Sequence, residues 1–452
     1  MAKVTFFIHT YGCQMNVRDS EAVSALLAAA GYEQAGKEDD ADLVIVNSCS
    51  VREKAEDKAI GKLGLLCATK RERPGRVIGL MGCMAQRLGR EIFAKVPKLD
   101  FSVGTRRNGA IPSLVARVQA GERGITELSS PDEIPDAPEA HADLGFSAFV
   151  TILLGCNRRC AYCIVPDVRG REYSRPAREI VAEIAALAKR GVREVTLLGQ
   201  SVMNYGRMNP VWFDDDPPSE RGFTEPFARL LEAVDAIPGI LRVRFTSGHP
   251  SGVTDELVRA MSSLPHLCHH LHLPVQSGAD PVLKRMRRGY TREGYLEACA
   301  KLRAAMPDFV LTTDVIVGFP GETEADFEET RTLMDAVNFG NAFIFKYSPR
   351  PGTPSAAWED DVDDAEKCRR DQVLLADQDR RGQAQNERLV GTVQQVLAEG
   401  RSLRNASRWS GRSDGNKIVV FEPRPGVREG TVVPVRITRA APQTLYGELL
   451  AP

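Results

Sequence analysis

Apolar runs and amphipathic stretches take turns along the first 120 residues of the chain. Apolar runs at 4–8, 42–47 and 76–82 predict buried strands, and the stretches at 20–30 and 51–68 predict helices between them. This alternation is typical of a parallel sheet with helices on its faces. In such sheets ligands bind outside the carboxyl ends of the strands, so residues that directly follow the strands are candidate site residues.

A second alternating series begins after residues 121–145, which are acidic, contain prolines and lack an apolar period, and which we therefore predict to be a linker. Helices are predicted at 176–190 and 323–337, among others. The predicted strands of this series lie at 148–154, 194–199, 241–247, 271–275, 309–319 and 341–347. Six strand–helix units predict an open, partial TIM barrel, (βα)6, over residues 146–380, and an α/β fold class for the chain.

The last segment, 383–450, has three short β-type runs, "GTVQQVLA", "NKIVVFE" and "GTVVPVRITRA", that predict a small β-barrel or sandwich. Residues 383–452 contain ten Lys or Arg against six Asp or Glu, a net charge of +4. Arg401, Arg404 and Arg408 lie close in sequence to Trp409. Arginines beside an aromatic ring suit RNA phosphates and unstacked bases, so these four are candidate RNA-binding residues. A solvated loop with arginines by chance is the alternative.

Composition narrows the class of protein. The chain has 452 residues, 43% of them hydrophobic and 26% charged, and a net charge of −1, so any RNA contact must come from local patches. No apolar run approaches the roughly 18 residues of a membrane-spanning helix, and we expect a cytoplasmic protein. Cysteines stay reduced in that compartment, so the ten cysteines point to metal binding, catalysis or burial rather than to disulfides.

Three cysteines recur at one topological position. Cys13, Cys49 and Cys83 each follow one of the three predicted strands of the first domain. Because the carboxyl ends of parallel strands meet at one edge of a sheet, we expect the three thiols to converge. The alternative is that they are scattered, small buried hydrophobes, which is the interpretation we favour for Cys67.

A second set of three lies in the loop after the first strand of the second series. Cys156, Cys160 and Cys163 have C-x₃-C-x₂-C spacing. Three thiolates leave one iron of a [4Fe–4S] cluster without a protein ligand, and that iron can bind a cofactor such as S-adenosylmethionine. A zinc site completed by a histidine is the competing interpretation. The candidate histidines for that site are His266, His269, His270 and His272.

Six longer motifs carry a resemblance to a known family. They read "TYGCQMNVRDSE", "NSCSVREKAEDK", "GCMAQRLG", "GCNRRCAYCIVPDVRGREYSRP", "HLPVQSGADPVLKRMRRGYTREGY" and "TTDVIVGFPGETEADFEET". Together they resemble the methylthiotransferase family of radical S-adenosylmethionine enzymes. The resemblance covers nearly the whole chain. It implies a cluster domain at 1–120, the linker at 121–145, a radical S-adenosylmethionine domain at 146–380 and a TRAM-like RNA-binding domain at 383–450.

The resemblance also implies roles for individual residues and two [4Fe–4S] clusters with S-adenosylmethionine as cofactors. Cys156, Cys160 and Cys163 would hold the radical-generating cluster, and Cys13, Cys49 and Cys83 an auxiliary cluster for the sulfur to be transferred. Arg169 and Arg171, which follow the radical cluster loop, would meet RNA phosphate. The expected contacts to S-adenosylmethionine or to the pocket around it are Tyr162, Gln200, Asn204, Gln276, Ser277 and Asp314.

Through this resemblance the six motifs together imply methylthiolation of C2 of N6-(dimethylallyl)adenosine at position 37 of tRNA. The basic C-terminal segment and the wording of the N-terminal motifs favour RNA over a protein substrate. One S-adenosylmethionine would be the methyl donor and a second the radical source. The implied partners are this tRNA, a sulfur donor and a one-electron donor such as flavodoxin or ferredoxin. Three alternatives stay open: methylthiolation of a ribosomal-protein aspartate, action on threonylcarbamoyl-adenosine, and a zinc-stabilised RNA-binding protein without catalysis.

Overall fold

The computed structural model describes residues 4–50, 53–130, 141–142 and 145–450. Its first domain contains six strands and five helices among these residues. In chain order they are β1 (Thr5–Tyr11), α1 (Gln14–Ala29), β2 (Glu33–Gln34), β3 (Leu43–Ser48), α2 (Glu53–Thr69), β4 (Val77–Met81), α3 (Cys83–Leu88), α4 (Ile92–Lys95), β5 (Phe101–Val103), α5 (Ile111–Gln119) and β6 (Ile125–Glu127). The strands pair in parallel in the order β2-β1-β3-β4-β5-β6.

Both faces of this sheet are covered, as the continuous apolar strands predict. On β3, Val44 and Val46 enter one core while Leu43 and Ile45 enter the other, and every residue of the strand is buried. A strand that is buried on both faces needs apolar residues at nearly every position, which is typical of parallel sheets. The three predicted strands are confirmed as β1, β3 and β4.

The predicted linker is partly wrong. Residues 125–127 form β6, which pairs with β5 at the edge of the first sheet. Residues 131–140 and 143–144 of the same segment, and residues 51–52 at the start of the second predicted helix, lie outside the described part of the chain. Strands β2, β5 and β6 have only two or three residues each, too few for an apolar period, and the neighbouring strand supplies their pairing.

The second domain is an open barrel of six parallel strands with helices outside. In chain order its elements are β7 (Ser147–Thr151), β8 (Leu153–Leu154), α6 (Val165–Arg169), β9 (Tyr173–Ser174), α7 (Ala177–Lys189), β10 (Glu194–Leu198), α8 (Pro226–Asp235), β11 (Arg242–Phe245), α9 (Asp255–Ser263), β12 (His270–His272), α10 (Asp280–Arg285), α11 (Arg292–Ala305), β13 (Val310–Val317), α12 (Glu324–Val337), β14 (Asn341–Lys346) and α13 (Asp364–Glu387). The sheets β7-β10-β11 and β12-β13-β14 meet at a parallel bridge between Val243 and Leu267. All six predicted strands are present.

The C-terminal domain is a closed five-stranded barrel in the order β15-β16-β17-β19-β18. Its strands are β15 (Val393–Arg401), β16 (Trp409–Ser413), β17 (Ile418–Phe421), β18 (Val432–Ala441) and β19 (Thr444–Leu449). The sequence predicts only β15, β17 and β18, because β16 and β19 are interrupted by glycine and polar residues. Barrel closure gives these two strands partners on both sides.

The barrel is fixed to the second domain. Arg242 donates to the carbonyl oxygens of Arg412 and Gln395, at 2.5 and 2.7 Å, and Arg244 donates to those of Ser413 and Asp414, both at 2.9 Å. Both arginines are buried. Helix α13 runs past the predicted domain boundary at 380–383, and its last turn packs on the β18–β19 turn.

The first domain is equally closely joined to the second. Met15 of α1 packs against Leu154 and Leu198, and the buried Arg18 lies 3.8 Å from Glu183 of α7. Part of the carboxyl edge of the first sheet is therefore held against the open barrel. None of the helices in the described residues has the length and apolar character that crossing a membrane requires.

Candidate metal centres

The three N-terminal cysteines converge at the sheet edge, as their topological position predicts. Cys13 directly precedes α1, Cys49 follows β3 and Cys83 begins α3. The thiol of Cys49 shares hydrogen bonds with the sulfurs of both Cys13 and Cys83. Cys13 is exposed, while Cys49 and Cys83 are buried. One thiol of this first centre therefore faces solvent and two face the protein.

Two asparagines hold the loops that carry these cysteines. Asn16 Oδ1 accepts the backbone N–H of Cys13 at 3.3 Å and lies 3.4 Å from its sulfur, and Asn16 Nδ2 donates to Asn47 Oδ1 at 2.9 Å. Asn47 in turn donates to the carbonyl oxygen of Asn16 and to Ser20 Oγ. A Cβ on Gly82 would lie 2.4 Å from Asn47 Oδ1, so glycine is required for this close approach. Buried amides that are hydrogen-bonded in this way fix the positions of the loops.

The three thiols of the first centre differ in pKa. The hydrogen bond from Cys49 lowers the pKa of Cys13 to about 5 and that of Cys83 to about 7, and the charge of Arg169 adds to both effects. The pKa of Cys49 is raised, because its neutral thiol lies between two thiolates. Thiolates are the metal-binding form of cysteine, and near pH 7 Cys13 is mostly in that form and Cys83 about half.

The second centre lies in the loop after β8. Gly155 has a φ of +80°, and a Cβ there would lie 2.1 and 2.5 Å from the carbonyl oxygens of Arg171 and Gly170. Its N–H donates to Gln200 Oε1 at 2.5 Å, and the N–H of Cys156 donates to the carbonyl oxygen of Gly170 at 3.0 Å. The loop is thus closed against the end of α6 and the end of β10 by its own backbone hydrogen bonds.

This packing leads to a prediction for Gly155→Ala. Left-handed backbone alone costs about 1 to 3 kcal/mol in a residue with a Cβ, and the two carbonyl groups must also move apart. We expect the variant to lose more stability than that range and to bind less iron at the second centre. Denaturant unfolding and iron analysis measure the two effects.

Gly191→Ala is the matched control, because Gly191 has a φ of +100° with nothing within 4 Å of the added Cβ. It should show the backbone strain alone, with normal iron binding. Equal losses of stability and of iron in the two variants would contradict the role of Gly155 in closing the loop.

An arginine and a tyrosine surround the middle cysteine of the second centre. Arg288 donates to Cys160 Sγ at 3.3 Å and to Tyr290 Oη at 3.0 Å, and Tyr290 donates to the carbonyl oxygen of Val275 at 2.7 Å. Burial raises the pKa of Cys156 to about 11 and that of Cys163 to about 12. Metal binding at this centre therefore displaces protons from both thiols.

The two centres adjoin. Cys83 of the first centre belongs to the same buried cluster as Ile164 and Val168, which lie just after Cys163. Helix α6 begins two residues after Cys163 and ends at Arg169, which donates to Cys83 Sγ at 3.3 Å. A single short helix therefore separates the two sets of cysteines.

The donor sets fit iron–sulfur clusters rather than single ions. Among the described residues, no three His, Cys, Asp or Glu side chains are arranged to hold one metal ion directly. A cubane cluster takes each thiolate on a different iron, so its three cysteines need not share one point. Sulfur ligands select iron–sulfur clusters, copper or zinc over harder ions.

The histidines proposed for a zinc site are engaged elsewhere. His266 bonds to Asp235, His269 to Asp308, and His270 and His272 both to Thr312. They lie on β12 and before it, within the barrel wall. Among the described residues, none of these histidines is grouped with other His, Cys, Asp or Glu side chains in a way that could hold one ion.

Two predicted cofactor contacts brace the second centre from the end of β10. Gln200 holds the Gly155 N–H, and Asn204 donates to both oxygens of Glu172, at 3.2 and 3.4 Å. Glu172 also accepts the N–H of Asn157 in the cysteine loop. The Gln200 and Asn204 side chains are half-buried beside the loop. Their contact with a cofactor stays a prediction.

The other four predicted contacts differ in position. Tyr162 is half-buried with its ring edge-on to Phe319, and Asp314 lies 3.4 Å from His272 on the neighbouring strand. Gln276 has a φ of +70° and is bridged to β13 through its backbone. The prediction for Ser277 is wrong: Ser277 is fully buried and its hydroxyl pairs with that of Thr330, so it supports the barrel wall.

The residues predicted to contact RNA fall into two groups, one buried and one at the surface. The prediction for Arg169 is also wrong. Arg169 is 3% exposed and ion-paired with Asp19 at 2.8 Å, so it cannot reach an RNA phosphate. Arg171, Arg401 and Arg404 are exposed, and Arg408 and Trp409 are half-exposed on the C-terminal barrel. These five stay predictions.

Sequence reasoning missed the residues that hold the cysteines, chiefly Asn16, Asn47, Glu172 and Arg288. The first two stand inside the motifs "CQMN" and "VNSC", two to three residues from a cysteine, which is a readable signal. Glu172 and Arg288 lie 9 and 125 residues after Cys163, and only the fold brings them to the loop.

Comparison with known proteins follows the same division of the chain. Residues 5–104 match the uncharacterized protein family UPF0004, residues 150–334 the radical SAM superfamily and residues 387–450 the TRAM domain. Three curated relatives are each named tRNA-2-methylthio-N(6)-dimethylallyladenosine synthase. The protein of Akkermansia muciniphila is 46% identical, that of Opitutus terrae 44% and that of Geobacter metallireducens 45%. Each alignment covers 98% of this chain and 97–98% of the relative.

The chain belongs to the tRNA-2-methylthio-N(6)-dimethylallyladenosine synthase family. This membership confirms the resemblance inferred from the six motifs, and the radical SAM and TRAM matches agree with the predicted fold class.

Solved structures of more distant proteins share the fold of this family member. The radical S-adenosylmethionine methyltransferase TsrM from Kitasatospora setae, with cobalamin and a [4Fe-4S] cluster bound, has a TM-score of 0.57 at 13% identity. The alignment covers 79% of this chain and 77% of that protein. At this identity the likeness shows the fold alone.

Proposed function

We propose that this protein is a radical S-adenosylmethionine tRNA methylthiotransferase that converts N6-(dimethylallyl)adenosine at position 37 of tRNA to its 2-methylthio derivative. It uses two [4Fe–4S] clusters and two molecules of S-adenosylmethionine, one as methyl donor and one as radical source. The observation that carries the proposal is the pair of three-cysteine centres on adjoining edges of two domains, in a member of this synthase family.

The proposed reaction requires one-electron chemistry, which these two centres would supply. The C2–H bond of adenine does not yield to acid–base catalysis, so a pair of carboxylates would not serve. When bound, the clusters and S-adenosylmethionine supply one-electron chemistry, a carbon-centred radical and the sulfur and methyl to be transferred.

The residues of the chain supply position and shielding. Cys156, Cys160 and Cys163 would hold the radical cluster, while Gln200 and Glu172 keep their loop in shape. Cys13, Cys49 and Cys83 would hold the auxiliary cluster on the facing edge. The short α6 between them keeps the two centres close enough to serve one base.

The target base has to leave its stack to reach a site between two domains. Exposed arginines on the C-terminal barrel, Arg401, Arg404 and Arg408, would hold the RNA backbone, with Trp409 as a surface for an unstacked base. Arg171, exposed beside the cysteine loop, would add a phosphate contact. The reaction also requires a sulfur donor and a one-electron donor, for which flavodoxin or ferredoxin is our proposal.

Replacing Arg401, Arg404 and Arg408 together with alanine should weaken tRNA binding. We expect the salt dependence of affinity to fall by up to about one unit of slope for each RNA phosphate that is no longer neutralised. Binding measured over a range of salt concentrations tests this. The triple lysine variant at the same positions keeps the charge and should keep the slope. Unchanged affinity of the alanine variant at low and moderate salt would remove these arginines from the interface.

The function itself is tested by nucleoside analysis of tRNA from a strain that lacks the gene. The 2-methylthio form should disappear and N6-(dimethylallyl)adenosine should accumulate, with recovery on re-expression. Loss of a modified threonylcarbamoyl-adenosine or of a ribosomal-protein modification would instead select one of the alternatives. An iron-free, zinc-loaded protein after anaerobic purification would select the non-catalytic one.

A further inference from the structure

The side chain of Arg169 lies between the two domains and reaches the first metal centre. Its Nε donates to Cys83 Sγ at 3.3 Å, and its Nη2 donates to Asp19 Oδ2 at 2.8 Å. Its Nη1 is buried without a hydrogen-bond partner. The side chain is 3% exposed, and that of Asp19 is 11% exposed. The guanidinium thus lies against a predicted cluster ligand, and two of its three nitrogens are hydrogen-bonded.

Joining the domains does not require this side chain. Thr105 Oγ1 already donates to the carbonyl oxygen of Val168 at 2.6 Å, and Arg106 Nε donates to that of Arg169 at 2.8 Å. Those two bonds fix the backbone at the end of α6 to the first domain. The direction of the Arg169 side chain, with Nε on sulfur, therefore calls for a further explanation.

The charge of Arg169 is permanent in this position. A guanidinium stays protonated at any ordinary pH, and the Asp19 carboxylate pairs with this one at 2.8 Å. A fixed positive charge and a hydrogen bond to a ligand sulfur both favour the reduced, more negative state of an iron–sulfur cluster. Asp19 offsets part of that charge.

We propose that Arg169 is a positioning residue for the auxiliary cluster, which holds the Cys83 thiolate and raises the reduction potential of the cluster at Cys13, Cys49 and Cys83. Asp19 orients the guanidinium and moderates its effect. Arg169 ends the helix that starts just after Cys163, so the same helix fixes the distance between this charge and the radical centre. The proposal rests on the proposed function only in requiring a cluster on these three cysteines.

The test is the midpoint potential of the auxiliary cluster, followed by electron paramagnetic resonance in a redox titration. The full-length protein is used with Cys156, Cys160 and Cys163 replaced by alanine, so that one cluster titrates. Arg169→Gln should make reduction about tenfold less favourable, which is about 59 mV more negative for one electron. Arg169→Lys keeps the charge and should fall between this variant and the parent. Asp19→Asn should shift the potential in the opposite, positive direction.

Arg90→Gln is the matched control, because Arg90 is exposed on the same domain and its loss should leave the potential unchanged. If Arg169 served only to join the domains, Arg169→Gln and Asp19→Asn would shift the potential in the same direction or not at all, and either result overturns the proposal. Should Arg169→Gln fail to bind iron, the sign of the Asp19→Asn shift decides. A parent protein that binds no cluster at all would contradict the proposed function instead.

Discussion

Cys49→Ala, reconstituted with iron and sulfide without oxygen, should still cleave S-adenosylmethionine to 5′-deoxyadenosine but form no methylthio product. Cys49 shares hydrogen bonds with both other thiols of the first centre, so its loss removes the middle ligand. The radical centre has its own loop and its own three cysteines and should stay loaded. We expect about four fewer irons per chain, the content of one [4Fe–4S] cluster. Iron analysis and chromatography of tRNA nucleosides measure both outcomes.

Cys67→Ala is the matched control for this experiment. Cys67 is buried in the core of the same domain, away from the sheet edge, and its replacement should cost some stability but no iron. Normal methylthiolation by Cys49→Ala would remove the auxiliary cluster from the mechanism. Loss of all cleavage in a folded Cys49→Ala protein would mean that the two centres do not act independently.

Cys160→Ala should have the converse effect and abolish cleavage of S-adenosylmethionine. Cys160 is buried and its sulfur accepts a hydrogen bond from Arg288, so its loss takes away one predicted ligand and one of the hydrogen-bond partners of a buried arginine. Two thiolates should not retain a cluster with an open iron. Formation of 5′-deoxyadenosine under reducing conditions should fall to the background rate, with the first centre still loaded.

Cys299→Ala controls for the loss of a buried thiol from the same domain, since Cys299 packs in the barrel core on α11. That variant should cleave S-adenosylmethionine normally. Robust turnover by Cys160→Ala would refute the assignment of the C-x₃-C-x₂-C loop.

The parts of the fold that could be predicted are those that depend on apolar runs along the chain. Strands such as β3, buried on both faces, are apolar at most positions, and the six barrel strands are separated by amphipathic helices. Short or interrupted strands could not be predicted because their stability comes from neighbours: β6 depends on β5, and β19 on the closure of a barrel. The acidic segment at 121–145 was predicted to be a linker because the three residues of β6 are too few to show the alternation of apolar and polar residues that marks a strand.

The convergence of the three N-terminal cysteines could be predicted because topology alone places them. Cys13, Cys49 and Cys83 follow strands β1, β3 and β4, which are neighbours in the sheet, and convergence follows from that order. The surroundings of the ligands could not be predicted, because they depend on which domains meet. Arg169 reads as an exposed loop arginine in the sequence, and only the docking of α6 on the first domain buries it beside Asp19. The role of Ser277 was wrong for a similar reason, since its partner Thr330 comes from a helix far along the chain.

The two buried arginines of β11 fix the position of the C-terminal barrel relative to the second domain. Arg242 and Arg244 are held by carbonyl oxygens of β15, β16 and the turn after β16, so the barrel cannot swing on a flexible tether. Under the proposed function, an RNA bound to this barrel would be presented to the second domain at one distance and in one orientation. Distance from the barrel would then decide which nucleotide reaches the two centres, and the RNA would have to deform to bring its base in.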